Sequence, residues 1–281
     1  MKLECYMKEM EGQLSPSQKK ICSFLLEHRG QAAMLTVQEL ANTCQVSIAT
    51  ASRFVKQLGF GSYGEFQNEL QNEVLKKIGT VDKIRNTAAS EEMNSGFIHA
   101  ALKRDRMTME TEEGELKEDT IAAIADTIHG AKTVYLAGLG SSRALVDFLN
   151  YRFCWMGIPT RKLTAGGSEF MEQLVFLSEG DVLISVGFRK TYREISIAMS
   201  YAEKKGIPII GIAESPLSEI MSRAKLVMPV KRGPEEEWNS LAYPMAACNI
   251  LVKQVLERRT EQALKTAGEL QWLNEQLNNN R

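Results

Sequence analysis

Between residues 130 and 230 the chain alternates five short runs, four of them largely apolar, with turns and helical stretches. The runs are Thr133–Ala137, Thr160–Leu163, Asp181–Val186, Pro208–Ile212 and Leu226–Pro229. Apolar strands that alternate with helices need cover on both faces, and helices supply it only when the strands run parallel. The pattern therefore predicts a three-layer α/β domain with a five-stranded parallel sheet. In such sheets ligands bind beyond the carboxyl ends of the strands, so the loops there are the places to look.

Two loops at such ends carry chemistry. In the first, Gly138 and Gly140 permit a tight turn, and Ser141 and Ser142 stand where a helix begins. Free N–H groups, a positive dipole end and two hydroxyls make a seat for a phosphate or a carboxylate. In the second, Ser185, Arg189, Lys190, Thr191 and Arg193 crowd one strand-to-helix junction. Each loop also has a plainer reading: a tight turn without consequence, and a solvated basic turn. A dinucleotide site is disfavoured. Arg143 stands where a third glycine belongs, and Leu163-Thr164-Ala165 has no acid for a ribose. No cofactor is expected.

The first 76 residues are of another kind. Ser15-Pro16-Ser17-Gln18 and Thr36-x-x-Glu39 are capping boxes that open helices. Gly30 is expected to stop the first. Ser47 caps a third helix whose apolar stripe is Ile48, Ala51, Phe54, Val55 and Leu58. Its other face carries Ala49, Thr50, Arg53, Lys56 and Gln57, small near the start and cationic further along. Such a face suits entry into the major groove of duplex DNA. No Asp or Glu occurs between Leu40 and Gly64, although residues 1–75 hold seven Lys/Arg against eight Asp/Glu. Local absence of acid favours phosphate contact, since nearby anions oppose it. The alternative is a small helical bundle whose third helix has a solvated face. Ser62 and Tyr63, after Gly59-Phe60-Gly61, read either as phosphate donors or as a turn with a buried ring.

The run from Thr36 to Phe66 resembles the helix-turn-helix signature of the RpiR/MurR family of bacterial transcriptional regulators. The matching pieces are TVQELA, VSIATASRF, LGF and SYGEF. The resemblance implies a DNA-binding head with Ser47, Thr50, Ser52, Arg53 and Lys56 near DNA. The later half is similar to the sugar isomerase (SIS) domain that forms the sensor of such regulators. That similarity rests on Gly138-x-Gly140-x-Ser142, Asp181-Val-Leu-Ile-Ser185, Ala202-x-Lys204-x-Gly206-x-Pro208 and Ser215-Pro216-Leu217. It implies a sugar-phosphate ligand held by a first-loop serine and a later Ser-x-Ser-Gly-x-Thr loop. Here that loop reads Ser185-Val-Gly-Phe-Arg-Lys-Thr191, lacking the second serine and its glycine and gaining basic residues.

The resulting expectation is a helix-turn-helix domain over residues 1–76, a helical connector over 77–129 and a SIS sensor over 130–281. Gly79 and the polar run 86–92 read as linker, and a helix is expected from Leu116 to His129. The C-terminal helix, with Leu251, Val252, Val255 and Leu264, is the expected subunit contact. Partners are double-stranded operator DNA and an anionic sugar or sugar-phosphate effector, in a homodimer or homotetramer. An enzyme is disfavoured, because His28, His99 and His129 all fall away from the strand-end loops; the rival remains a phosphosugar isomerase with an accessory helical domain. The net charge is −1, and the five cysteines are dispersed without metal spacing. No apolar run approaches the ~20 residues of a membrane span. Those features and the absence of a secretory start lead to an expected cytoplasmic location, with no metal and no membrane.

Overall fold

The structure is a computed structural model that describes residues 14–76, 79–89, 96–188, 191–214, 218–234 and 237–279. The chain divides into two compact units, Met1–Gly79 and Thr80–Arg281.

In the first unit both capping boxes form. Ser15 accepts from the backbone of Gln18 and starts α1 (Pro16–Glu27), and Thr36 accepts from Glu39 and starts α3 (Val37–Thr43). Gly30 does not end the first helix. The helix closes at Glu27, and a four-residue turn, α2 (Arg29–Ala32), holds Gly30 within it. The chain can rewind at once because His28 donates its N–H to Phe24 O while its own carbonyl accepts from Ala32.

Between α3 and α4 (Ile48–Gln57) lies Cys44-Gln45-Val46. Gln45 adopts φ 54°, the left-handed region, and so reverses the chain in three residues. Ser47 then caps α4 by accepting from Thr50 N at 3.1 Å. Ala51, Phe54, Val55 and Leu58 pack with Ile21, Leu25, Leu40 and Phe66 of the surrounding helices. Ile48 does not join this stripe; it is 46% exposed. As the first residue after the cap, it precedes the turn on which the packing face is established. α5 (Tyr63–Lys76) completes the unit.

The second unit is built on a parallel sheet in the order β2-β1-β3-β4-β5. Its strands are β1 (Val134–Ala137), β2 (Thr160–Leu163), β3 (Val182–Gly187), β4 (Ile209–Ala213) and β5 (Leu226–Pro229). Side chains alternate between two apolar layers. Val134, Leu136, Ile184 and Ile210 face α8 (Glu118–His129), α9 (Arg143–Trp155) and α13 (Ala242–Arg258). Tyr135, Leu183 and Ile209 face α10 (Ser168–Leu174) and α11 (Arg193–Lys204), with Ile220 of α12 (Glu219–Arg223).

Three expectations need correction. The helix expected from Leu116 begins at Glu118, because a 3₁₀ turn over Glu113–Glu115 intervenes. Asn86–Ala89 are not linker but the end of α6 (Thr80–Ala89), and Thr87 Oγ1 there accepts from Trp238 N at 2.7 Å. Leu251, Val252 and Val255 cannot make a subunit contact. They are buried in α13 against their own sheet, while Leu264, on α14 (Thr260–Asn279), is 70% exposed.

α7 (Phe97–Glu112) is fastened to α13 by Tyr243, whose buried hydroxyl donates to Glu112 O at 3.0 Å. Burial, with Glu112 adding to it, pushes the Tyr243 hydroxyl up from 10.0 to about 12. The unfolded chain ionises first as pH rises, so this contribution to stability is complete below pH 10 and is lost towards pH 12. Tyr243→Phe should lower stability by about 1–2 kcal/mol at neutral pH, because the Glu112 carbonyl loses its donor. The same variant should show a smaller fall in urea midpoint than the wild type on going from pH 10 to pH 12.

Candidate functional site

The order of the sheet decides where a cleft opens. β1 is followed by a crossover to β2 on one side, whereas β3 lies on its other side. The chains leaving β1 and β3 therefore diverge to opposite faces, and a crevice remains between them at the carboxyl ends. A cleft of about 1060 Å³ lies there, lined by both departing loops.

The β1 loop is tight. Gly140 has φ 61°, and Gly140–Ser142 form a 3₁₀ turn that runs directly into α9. A Cβ on Gly138 would stand 2.8 Å from Val146 Cγ2, and one on Gly140 would stand 2.6 Å from the Tyr192 hydroxyl. Glycine at both positions lets the loop lie on α9 and under Tyr192. Ser141 is exposed and lines the cleft; Ser142 lines it too but is only 3% exposed.

The β3 loop delivers Gly187, Phe188, Thr191 and Tyr192 to the same cleft. Tyr192 is the N-cap of α11 and makes no side-chain capping bond. The first N–H groups of that helix thus have no partner within it, as at any helix start, and carry its positive dipole end. The residues before two helices, Ser141 and Ser142 before α9 and Thr191 before α11, line one cleft. Ser185 is completely buried in β3, its Oγ has no hydrogen-bond partner among the described residues, and it is not among the lining residues. Arg189 and Lys190 lie outside the described residues.

Charged groups in the cleft are mostly compensated. Arg232 donates through Nη2 to Glu214 Oε2 at 2.7 Å and lies 4.1 Å over the Phe188 ring. Glu194 accepts from Gly167 N at 3.3 Å. Lys83, Trp238 and Asn239 also line the cleft and had no signal in the sequence, since Lys83 lies 58 residues before Ser141 and in no motif. No histidine is among the lining residues described.

In the first unit, Ser47, Arg53 and Lys56 are exposed along α4, with Thr50 and Ser52 half-buried at its flanks. Ser47 Oγ and Thr50 Oγ1 are 2.8 Å apart, so one hydroxyl is bonded to the other. Arg53 lies back along its helix, its Nε donating to Ala49 O at 3.2 Å. Ser62 is exposed and caps α5 by accepting from Glu65 N at 3.1 Å. Tyr63 serves the packing instead of a phosphate here. Its hydroxyl donates to Leu35 O at 2.7 Å, and burial pushes it up to about 12.

Comparison with known proteins agrees with this geometry. The helix-turn-helix domain of the rpiR family matches residues 1–77, and the SIS domain matches residues 127–254. An uncharacterised HTH-type transcriptional regulator of Clostridium perfringens is 24% identical over 198 residues, 70% of each chain. The sugar isomerase domain of an RpiR transcription factor from Sphaerobacter thermophilus superposes with TM-score 0.57 at 26% identity, covering 60% of this chain and 95% of that one. The Vibrio vulnificus NanR protein, complexed with ManNAc-6P, superposes with TM-score 0.65 at 20% identity over 98% of both chains, a likeness of fold. Among the described residues no helix is long and apolar enough to cross a membrane.

Gly140→Ala should destabilise the second unit by about 1–2 kcal/mol through left-handed backbone strain. It should also displace Tyr192, which urea denaturation and quenching of tyrosine emission would register together.

Proposed function

Since the chain is a transcriptional regulator of the RpiR type, a helix-turn-helix domain followed by a SIS domain, we propose that an anionic sugar, most simply a phosphosugar, binds at the β1/β3 cleft and sets its affinity for operator DNA. The observation that carries the reading is that Ser141, Ser142, Thr191 and the start of α11, whose N-cap makes no side-chain capping bond, line one cleft. Such a seat offers neutral donors to a dianion and needs no lysine to neutralise it. Gly138 and Gly140 let the first loop pack on α9 and under Tyr192; neither they nor Ser185 are among the lining residues. The phosphosugar named in the NanR complex supports the same class. A catalytic role is disfavoured, because isomerisation needs a positioned acid or base, and Glu194, the one carboxylate lining the cleft among the described residues, already accepts from a backbone N–H.

In the first unit α4 is the reading helix. Ser47, Thr50, Ser52, Arg53 and Lys56 form the face towards the groove, with Ser62 near the backbone. Arg53 is held against its own helix by one bond to a backbone carbonyl, which is easily exchanged for a guanine edge or a phosphate. A homodimer or homotetramer would present paired heads to half-sites about 34 Å apart. A ligand preferring one arrangement of subunits would then shift operator affinity by linkage. The protein acts in the compartment of its DNA.

Arg53→Ala should abolish specific operator binding while leaving the circular dichroism and melting of the chain unchanged; undiminished gel-shift affinity at moderate salt would refute the assignment. A thermal-shift screen of phosphorylated sugars should yield at least one that stabilises the protein, by about 2.7 kcal/mol at a concentration of 100 times its Kd. No turnover of that sugar is expected.

A further inference from the structure

The α7 helix has two halves of opposite charge. Residues 97–106 hold three Lys/Arg against one acid, whereas residues 107–119 hold six acids against one lysine. Arg104 and Glu112 bind their own unit: Arg104 Nε lies 2.7 Å from Glu237 Oε2, and Glu112 accepts from Lys231 at 2.8 Å. Ile98 and Leu102, one turn apart, are instead 75% and 64% exposed. Exposed apolar rows of this kind mark contact surfaces. Met109 and Glu113 continue the same row at helical spacing. There the helix borders a groove of about 750 Å³ beside α8 and α13. Met109, Leu116 and Ile250 give the groove an apolar lining, and Glu110, Glu113, Glu118 and Asp119 give it an acidic rim. Glu110 meets Arg106 only at 3.8 Å, with both side chains largely exposed. The other three acids make no ion pair among the described residues.

An apolar groove rimmed by acids fits apolar side chains flanked by cations. The first half of α7 has that composition, with Ile98 and Leu102 beside Lys103 and Arg106. It cannot reach the groove of its own chain, because Ile98 and Glu113 stand about 22 Å apart along one helix axis. A second copy can reach it. We propose that the groove beside α7 receives the first half of α7 from another copy of this chain, in an antiparallel, two-fold contact. A two-fold axis across the middle of α7 fills both grooves at once, because the surface is complementary to itself. Ile98 and Leu102 enter the apolar lining, and Lys103 and Arg106 meet the acidic rim. The contact leaves neither half unmatched, so it closes at a pair. The ligand proposed for the β1/β3 cleft plays no part in it.

The test is sedimentation equilibrium of the full chain. The wild type should associate at least to a dimer. Leu102→Glu, a change at an exposed position, should weaken that association about tenfold or more by setting an acid against the acidic rim, with helix content unchanged by circular dichroism. Two charge variants separate pairing between copies from damage to the fold. Lys103→Glu with Arg106→Glu makes both halves of α7 acidic, and Glu110→Lys with Glu113→Lys makes the rim basic. Each variant alone should associate about tenfold more weakly or worse, because like charges then meet at both ends. Mixed in equal amounts, the two should form a heterodimer within about threefold of wild-type affinity, since each end then meets its opposite. A monomeric wild type, a Leu102→Glu variant that associates as tightly as the wild type, or a mixture no tighter than its components would overturn the proposal. A groove filled by another segment of the same chain, or by a different protein, would give one of those results.

Discussion

The divergence of the chain at β1 and β3 is the constraint on which the second unit depends. A parallel sheet must send every strand's exit over one face or the other, and in the order β2-β1-β3-β4-β5 the two central exits part. The parting leaves a crevice that no side chain of the two apolar layers fills. It also brings the segments that lead into α9 and α11 to one cleft. Glycine at 138 and 140 is a consequence: the first loop must lie against Val146 and beneath Tyr192, where a Cβ would meet heavy atoms closer than 3 Å. Of the two arginines among the described residues that line the cleft, Arg232 is occupied, bonded to Glu214 and stacked on Phe188.

The first unit obeys a different economy. Its helices are short, and short helices depend on their ends. Ser15, Thr36, Ser47 and Ser62 each accept from a backbone N–H three residues on. Gln45 takes a left-handed conformation in the short turn from α3 to the Ser47 cap of α4. With Phe54, Val55 and Leu58 anchored in the core, the opposite side of α4 has nowhere to go but outward. That is how a helix with little net charge about it comes to present Ser47, Arg53 and Lys56 to solvent.

The α6 helix links sequence position to cleft chemistry. It begins one residue after the first unit ends, and its ties to the 238–239 segment hold Lys83 at the wall of the cleft. Nothing about residues 80–89 taken alone marks them as part of a binding site; read locally they continue a polar stretch. Their role follows from contacts made with residues more than 150 positions later.

Local patterns in the sequence determined much of this protein. The capping boxes at Ser15 and Thr36, the alternation of apolar runs with helices, and the extents of β2 and β5 all follow from interactions among residues a few positions apart. The turn at Gly138 to Ser142 and the helix after it were legible for the same reason, since a turn and a helix start are local objects. Tertiary structure decided what depends on distant neighbours. It withdrew Ile48 from the core and closed the first helix at Glu27 instead of Gly30. It turned Leu251, Val252 and Val255 inward, because a helix with apolar residues on several sides does not declare which side meets its own sheet. It committed the Tyr63 hydroxyl to Leu35 O, 28 residues away, and it brought Lys83 and Asn239, 156 positions apart, to one cleft. Hydrophobic period and capping act over one or two helical turns; burial and charge pairing act over whatever the fold makes adjacent.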